Sequence, residues 1–206
     1  MKIRAMAGVM VATAVLTAGG AQAASHKKAG MAMDMARYGG PVYNGAPALD
    51  VTASLVKAGG GAEGFSIATA LTSMVGDKLV GAEVGKLTKQ YGKAKVGSWI
   101  EVFNFAVGDA LKIATAAGVT LPDGSLSGKE LAATLVGAGL DKKGTFYTEY
   151  LLDKAVTHKI HVQVMEDIDA KYGAAADTNY HAVTNQAMVD LAHALGKTSV
   201  KVARLH

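Results

Sequence analysis

The 206-residue chain has no cysteine at all. That removes disulfides, thiolate metal sites and cysteine nucleophiles from consideration, together with the lipid-carrying cysteine of a lipoprotein, so stability has to come from the core alone. Long apolar runs are missing too. The most hydrophobic stretch, Ala5 to Ala18, is rich in alanine, glycine and threonine rather than leucine and falls short of the roughly 20 residues a membrane-crossing helix needs. No run after it alternates apolar and polar residues between hairpin turns, apart from a short extended piece near Ser199 to Val202, so a sheet is not expected.

Recognisable catalytic and nucleotide motifs are also lacking. There is no G-x-S-x-G elbow, and no serine stands in a nucleophile context. The triplet Gly59, Gly60 and Gly61 is followed by Ala62, Glu63, Gly64 and Phe65, whereas a phosphate loop requires a lysine and then a serine or threonine after its last glycine. A helix-to-helix connection is the reading that remains. Glu101 and Asp109 stand eight apart on or near one helix, but an acid and base pair needs a cleft that spacing alone does not show. Basic residues such as Lys86, Lys89, Lys93 and Lys95 are interleaved with small and polar residues. They lack the aromatics of a stacking surface, so they describe a solvated face and no nucleic-acid partner is expected.

What is present begins with an export signal. Lys2 and Arg4 give a positive start, Ala5 to Ala18 an apolar run, and Ala21, Gln22 and Ala23 a small-residue exit, which is the three-part form of a cleavable signal peptide over residues 1–23. A transmembrane anchor is the competing reading, and the short run weighs against it. The expected mature protein is periplasmic or secreted, with no transmembrane anchor after cleavage. Removing 23 residues from 206 leaves 183, enough for one domain with a sizeable core. Without Lys2 and Arg4, 19 of the 21 basic residues face 17 acidic ones, so the basic character of the whole chain belongs partly to the signal.

Residues 24–45 lack a sustained apolar period and read as a flexible leader. Residues 46–206 read as the folded domain. Pro47 suits the first turn of a helix carrying Leu49, Val51, Leu55 and Val56. A second helix is expected from Ala62 to Val75, and a shorter one around Ala82 to Tyr91. From Val96 to Ala116 one face repeats Val96, Trp99, Ile100, Phe103, Ala106, Val107, Ala110, Leu111 and Ala114, which marks a central helix. Trp99, Phe103 and Phe105 at that spacing fit a core, or the walls of a planar cofactor site. Ser127 and Glu130 have the spacing of a capping box. Thr145 to Tyr172 reads as the longest helix, and Asp177 as the N-cap of the last one, which ends at Gly196. The expected fold is all-α, a single-domain bundle of about six helices.

Chemistry concentrates on the long helix, which carries Glu149, Asp153, His158, His161, Met165, Glu166, Asp167 and Asp169. His158 and His161 are three apart and share a flank, and Met165 follows four residues later. Two imidazoles and a thioether suit a transition metal of intermediate softness, or a haem iron. Neither H-E-x-x-H nor the E-x-x-H of di-iron bundles is present, and the competing reading makes His158 a surface residue and His161 a hydrogen-bonded residue at the edge of the core. His161 and His181 would differ by about eight residues of register across a simple hairpin, or about 12 Å, too far to share an ion. His193 falls on a polar face. In the leader, Met31, Met33 and Met35 near His26 form a second candidate set, of the kind that captures Cu(I).

Three functions are open to such a chain. The first is an exported, non-enzymatic helical protein with a binding or structural role and an unassigned ligand. The second is an envelope metal- or haem-binding protein using His158, His161 and Met165. The third, a membrane-surface or partner-binding module, requires an unpaired apolar helix face.

Overall fold

The computed structural model describes residues 42–43 and 46–203. The expected signal peptide over 1–23, His26, Met31, Met33 and Met35 lie outside the described residues, as does nearly all of the expected leader. Within and next to that stretch, Val42–Tyr43 (β1) pairs antiparallel with Ala46–Pro47 (β2).

Among the described residues the chain is mostly helical, with eight helices where about six were expected. They are α1 (Ala48–Ala58), α2 (Ile67–Val75), α3 (Asp77–Tyr91), α4 (Lys93–Ala116), α5 (Gly128–Gly139), α6 (Thr148–Ala155), α7 (His158–Tyr172) and α8 (Ala174–Ala194). Two further short strands, β3 (Thr145–Phe146) and β4 (Lys201–Val202), pair in parallel and tie the C-terminal end to the start of α6. No helix among the described residues is long and apolar enough to cross a membrane.

The centre is α4, packed against α7, α8 and α3. Its inward positions Val96, Trp99, Phe103, Ala106, Leu111 and Ala114 are buried, as the apolar period requires, and Val102 joins them. The aromatic residues of α4 divide by face. Trp99 meets Phe103 edge to face at 6.1 Å, and Phe103 stacks on Phe65 at 6.5 Å and touches Tyr180 at 5.7 Å, so these rings are core. Phe105 points elsewhere, onto Tyr172, with Lys171 Nζ 4.2 Å above its ring. Such a set packs the helices together, with Trp99 and Phe103 in one cluster and Phe105 in another.

Several helix ends differ from expectation for identifiable reasons. Pro47 lies in β2, just before α1, not in its first turn. The second helix starts at Ile67 because the Ser66 side chain accepts from the Thr69 N–H at 3.3 Å, leaving Ala62 to Gly64 in the connection. The Ser127 and Glu130 pattern does start α5, but the Ser127 side chain makes no capping bond; Gly128 follows at φ +50°. The last helix begins before Asp177, at a one-residue corner. Gly173, at φ +83°, donates its N–H to Asp169 O at the end of α7 and accepts from Asp177 N–H in the first turn of α8. Only glycine takes that backbone geometry without strain, and Gly76 and Gly92 make the same corner between α2, α3 and α4.

The largest departure is the break in the expected long helix between α6 and α7. Val156 leaves the helical conformation and Thr157 is fully extended, with its Oγ1 accepting from the Ile160 N–H at 3.3 Å as the N-cap of α7. The carbonyl of Ala155, at the end of α6, accepts from the Thr52 hydroxyl of α1 at 2.6 Å. The chain bends there, and α6 and α7 are in contact.

Candidate metal centre at the turn between helices six and seven

In one continuous helix, Asp153 and His161 would stand eight residues apart, about 12 Å along the axis. The corner at Thr157 folds them together. Asp153 Oδ1 accepts from His161 Nδ1 at 2.6 Å and from His158 Nδ1 at 3.0 Å, so one carboxylate oxygen faces two imidazoles. A carboxylate accepts only, which fixes the proton of each ring on Nδ1 in this arrangement. The rings sit edge to face with centroids 6.2 Å apart. His158 is open to solvent, its side chain 78% exposed, and His161 is at the edge of the core at 9%. Burial alone would push the Asp153 carboxyl up, but the hydrogen bonds from His161 and His158 outweigh it and hold the group below the usual carboxylate range.

The three residues offer ligand atoms all within 4.8 Å of one another, among the described residues. Two nitrogens and one oxygen form a borderline-hard donor set, suited to Zn(II), Co(II), Ni(II) or Cu(II). A divalent ion lodged between them would replace the protons now shared with Asp153, and three protein ligands would leave a coordination position for water. The donors present therefore fit a metal ion.

Met165, one turn beyond His161, is half-buried against the core and borders a narrow apolar void of about 70 Å³ that His161 and Tyr180 also line. Asp153 is the side chain that meets both imidazole Nδ1 atoms. His181 stands apart from the trio: its Nδ1 lies 3.1 Å from both the carbonyl and Oδ1 of Asp177. Burial would lower its pKa, but the Asp177 contacts and the more distant Glu149 raise it. His193 is exposed and its Nε2 donates to Val200 O at 3.0 Å.

Two carboxyl pairs join helices far apart in sequence. Glu83 of α3 faces Asp190 of α8, and burial first, then the hydrogen bond to Asp190 and its charge, push Glu83 up to about 7 against the weaker opposing pull of Lys86. Asp109 of α4 is paired with Asp167 of α7, not with the exposed Glu101; burial and then Asp167 raise its pKa, and Lys112 and Lys171 oppose this. Like charges so close hold a proton between them.

The Glu83 pair sets a pH dependence. Its folded pKa lies above the unfolded value, so the stabilisation is complete below about pH 4.5 and is lost as pH rises through about 7. Asp190 from α8, Lys86 on the same helix, Tyr91 near Asp190 and His193 at the rim are the groups around it. The raised Asp109 and His181 work in the same direction. Because water screens the Glu83 pair, its share is on the order of 1–2 kcal/mol. Urea midpoints measured from about pH 5 to about pH 8 should fall, and Glu83→Gln should flatten that fall; an equally steep fall in the variant would exclude Glu83 as its source.

The fold and site together describe an all-helical protein with a histidine and carboxylate trio at one helix corner. Compared with protein-family models, with curated proteins and with solved structures, the chain matches none.

Sequence reasoning named His158 and His161 as ligands and counted Asp153 among the useful side chains, but had no reason to bring it to them, because a threonine without an acidic residue three places on is a weak cap signal. The partners of the two carboxyl pairs lie too far apart in sequence for any local pattern to join them.

Proposed function

We propose that this chain is an exported helical binding protein without catalytic activity of its own, and that its ligand is a divalent transition metal ion held by Asp153, His158 and His161. The observation that carries the metal reading is the convergence of three donors from two helices within 4.8 Å. Export rests on the three-part segment over residues 1–23. The exposure of His158 supports a role in taking up and releasing an ion, since a site with one ligand in solvent exchanges its metal readily. Haem is less well supported: His158, His161 and Met165 all project from the same side of α7, so no two of them can serve as opposed axial ligands.

The protein should be purified from the periplasm without a polyhistidine tag, and its mass, visible absorption and metal content taken on one sample. A mass starting at Ala24 is expected. After chelation, Co(II) should bind at one equivalent with visible bands of a nitrogen-containing site, and a saturating ion at about 100 times its Kd should stabilise the fold by about 2.7 kcal/mol. His161→Ala and Asp153→Asn should each remove the stoichiometric site. A Soret band would replace the metal reading with haem, and unchanged Co(II) binding in His161→Ala would overturn the assignment of the ligands.

A further inference from the structure

On the side of α8 that faces α3, helices α2, α3, α4 and α8 enclose a cavity of about 320 Å³, at the lower end of the range for small-molecule sites. Trp99 and Phe103 of α4 form its inner wall, with Ile67, Leu71, Leu87 and Met188 as aliphatic sides. The wall is closed on the α4 side because Trp99 Nε1 donates to Thr184 Oγ1 at 2.9 Å, which uses up the polar atom of the indole and one of the few polar atoms of the lining. Glu83 and Asp190 stand in the lining from opposite helices. Glu83 Oε2 accepts from Lys86 Nζ at 3.4 Å, while Glu83 Oε1 is sealed from water and finds no donor once the proton shared with Asp190 is gone. In the ionised pair that oxygen carries a desolvation cost that a donor in the cavity would relieve.

We propose that this cavity binds a small organic amine, its apolar body against Trp99 and Phe103 and its ammonium between Glu83 and Asp190. An ammonium has three donors and no acceptor, so it can satisfy Glu83 Oε1 and Asp190 at once. An anion would add a third negative charge to the pair, and a neutral alcohol would leave the repulsion between them in place. The site is separate from the Asp153 centre, on different helices, and stands or falls without it.

The charge balance makes the proposal specific. Below neutral pH the pair holds one proton; when the ammonium arrives, that proton leaves Glu83 for solvent and the amine keeps its own. Above neutral pH both carboxylates are already ionised, and binding releases almost nothing. With the Glu83 group at about 7, this linkage makes amine affinity rise about tenfold from about pH 6 to about pH 8, with nearly one proton released per amine at the lower pH.

The test is calorimetric titration of the whole protein with phenethylamine and with phenethyl alcohol, in buffers of different ionisation enthalpy at both pH values. Saturable amine binding is expected, with the alcohol at least about tenfold weaker, since only the charged head meets the pair, and with the pH and proton-release pattern above. The double variant Glu83→Gln, Asp190→Asn should lose both the amine preference and the pH dependence while keeping its helical circular dichroism. Equal affinity for amine and alcohol, no binding of either, or wild-type amine binding by the double variant would each overturn the proposal. The comparison of the two ligands on the wild-type protein decides the matter even if the double variant fails to fold.

Discussion

Trp99→Ala should cost the fold about 3–5 kcal/mol, about a fifth or more of the stability of an ordinary domain. Trp99 is 2% exposed, the largest of the fully buried side chains, and its removal takes away the edge-to-face contact with Phe103 and the hydrogen bond to Thr184 together. The usual relief, collapse of neighbours into the space, is weak here because the indole already borders a cavity of about 320 Å³. Deleting it enlarges a void on one side without bringing new atoms in contact on the other. Urea unfolding followed by far-ultraviolet circular dichroism measures the loss; fluorescence is ruled out because Trp99 is the only tryptophan. Trp99→Phe separates the two contributions, since it retains most of the ring contact and gives up the bond to Thr184, and should cost about 1–2 kcal/mol. A loss below about 1 kcal/mol in Trp99→Ala would mean that the indole does not anchor α4 to α8.

The helical character of the chain was legible wherever burial follows a 3.6-residue period. On α4 the buried residues Val96, Trp99, Phe103, Ala106, Leu111 and Ala114 belong to the stripe read from the sequence, and Val102 is buried outside it because helices pack on α4 from more than one side. Helix boundaries were less legible. The apolar period continues through Leu151, Leu152, Ala155, Val156 and Ile160, so nothing in the pattern reveals the break at Thr157; that break is stabilised from outside, by the Thr52 hydroxyl of α1 bonded to Ala155 O. The candidate metal centre inherits this limit. The histidine spacing is local and could be read, whereas the position of Asp153 depends on a corner set by tertiary contact. Glu83 and Asp190 are the extreme case, as neither residue's neighbours in sequence hint at the other, and only the packing of α3 on α8 joins them.

Gly124→Ala should cost about 2–4 kcal/mol, combining left-handed backbone strain with overpacking. Gly124 lies in the connection from α4 to α5 at φ +73°, and an added Cβ would stand 2.7 Å from Ser54 N, 2.8 Å from Ser54 Cα and 2.9 Å from Ala53 C. These are backbone atoms of α1, which cannot rotate away as a side chain can. The close approach exists because the connection is laced to α1 at Gly124 and just after it: Ser125 N–H and Oγ donate to the Asp50 carboxylate at 2.9 and 2.5 Å, Leu126 N–H donates to Ser54 Oγ at 3.0 Å, and Lys57 Nζ donates to Gly124 O at 3.3 Å. A methyl group at residue 124 has to loosen that lacing or push α1 aside, and α1 is also the helix whose Thr52 holds the end of α6. Gly97→Ala is the control. Gly97 sits inside α4 with open space where a Cβ would go, and there the gain in helix propensity should stabilise by about 0.5–1 kcal/mol. Chemical denaturation with unchanged m-values reads both effects; a Gly124→Ala protein as stable as the parent would mean that the connection does not lie against α1.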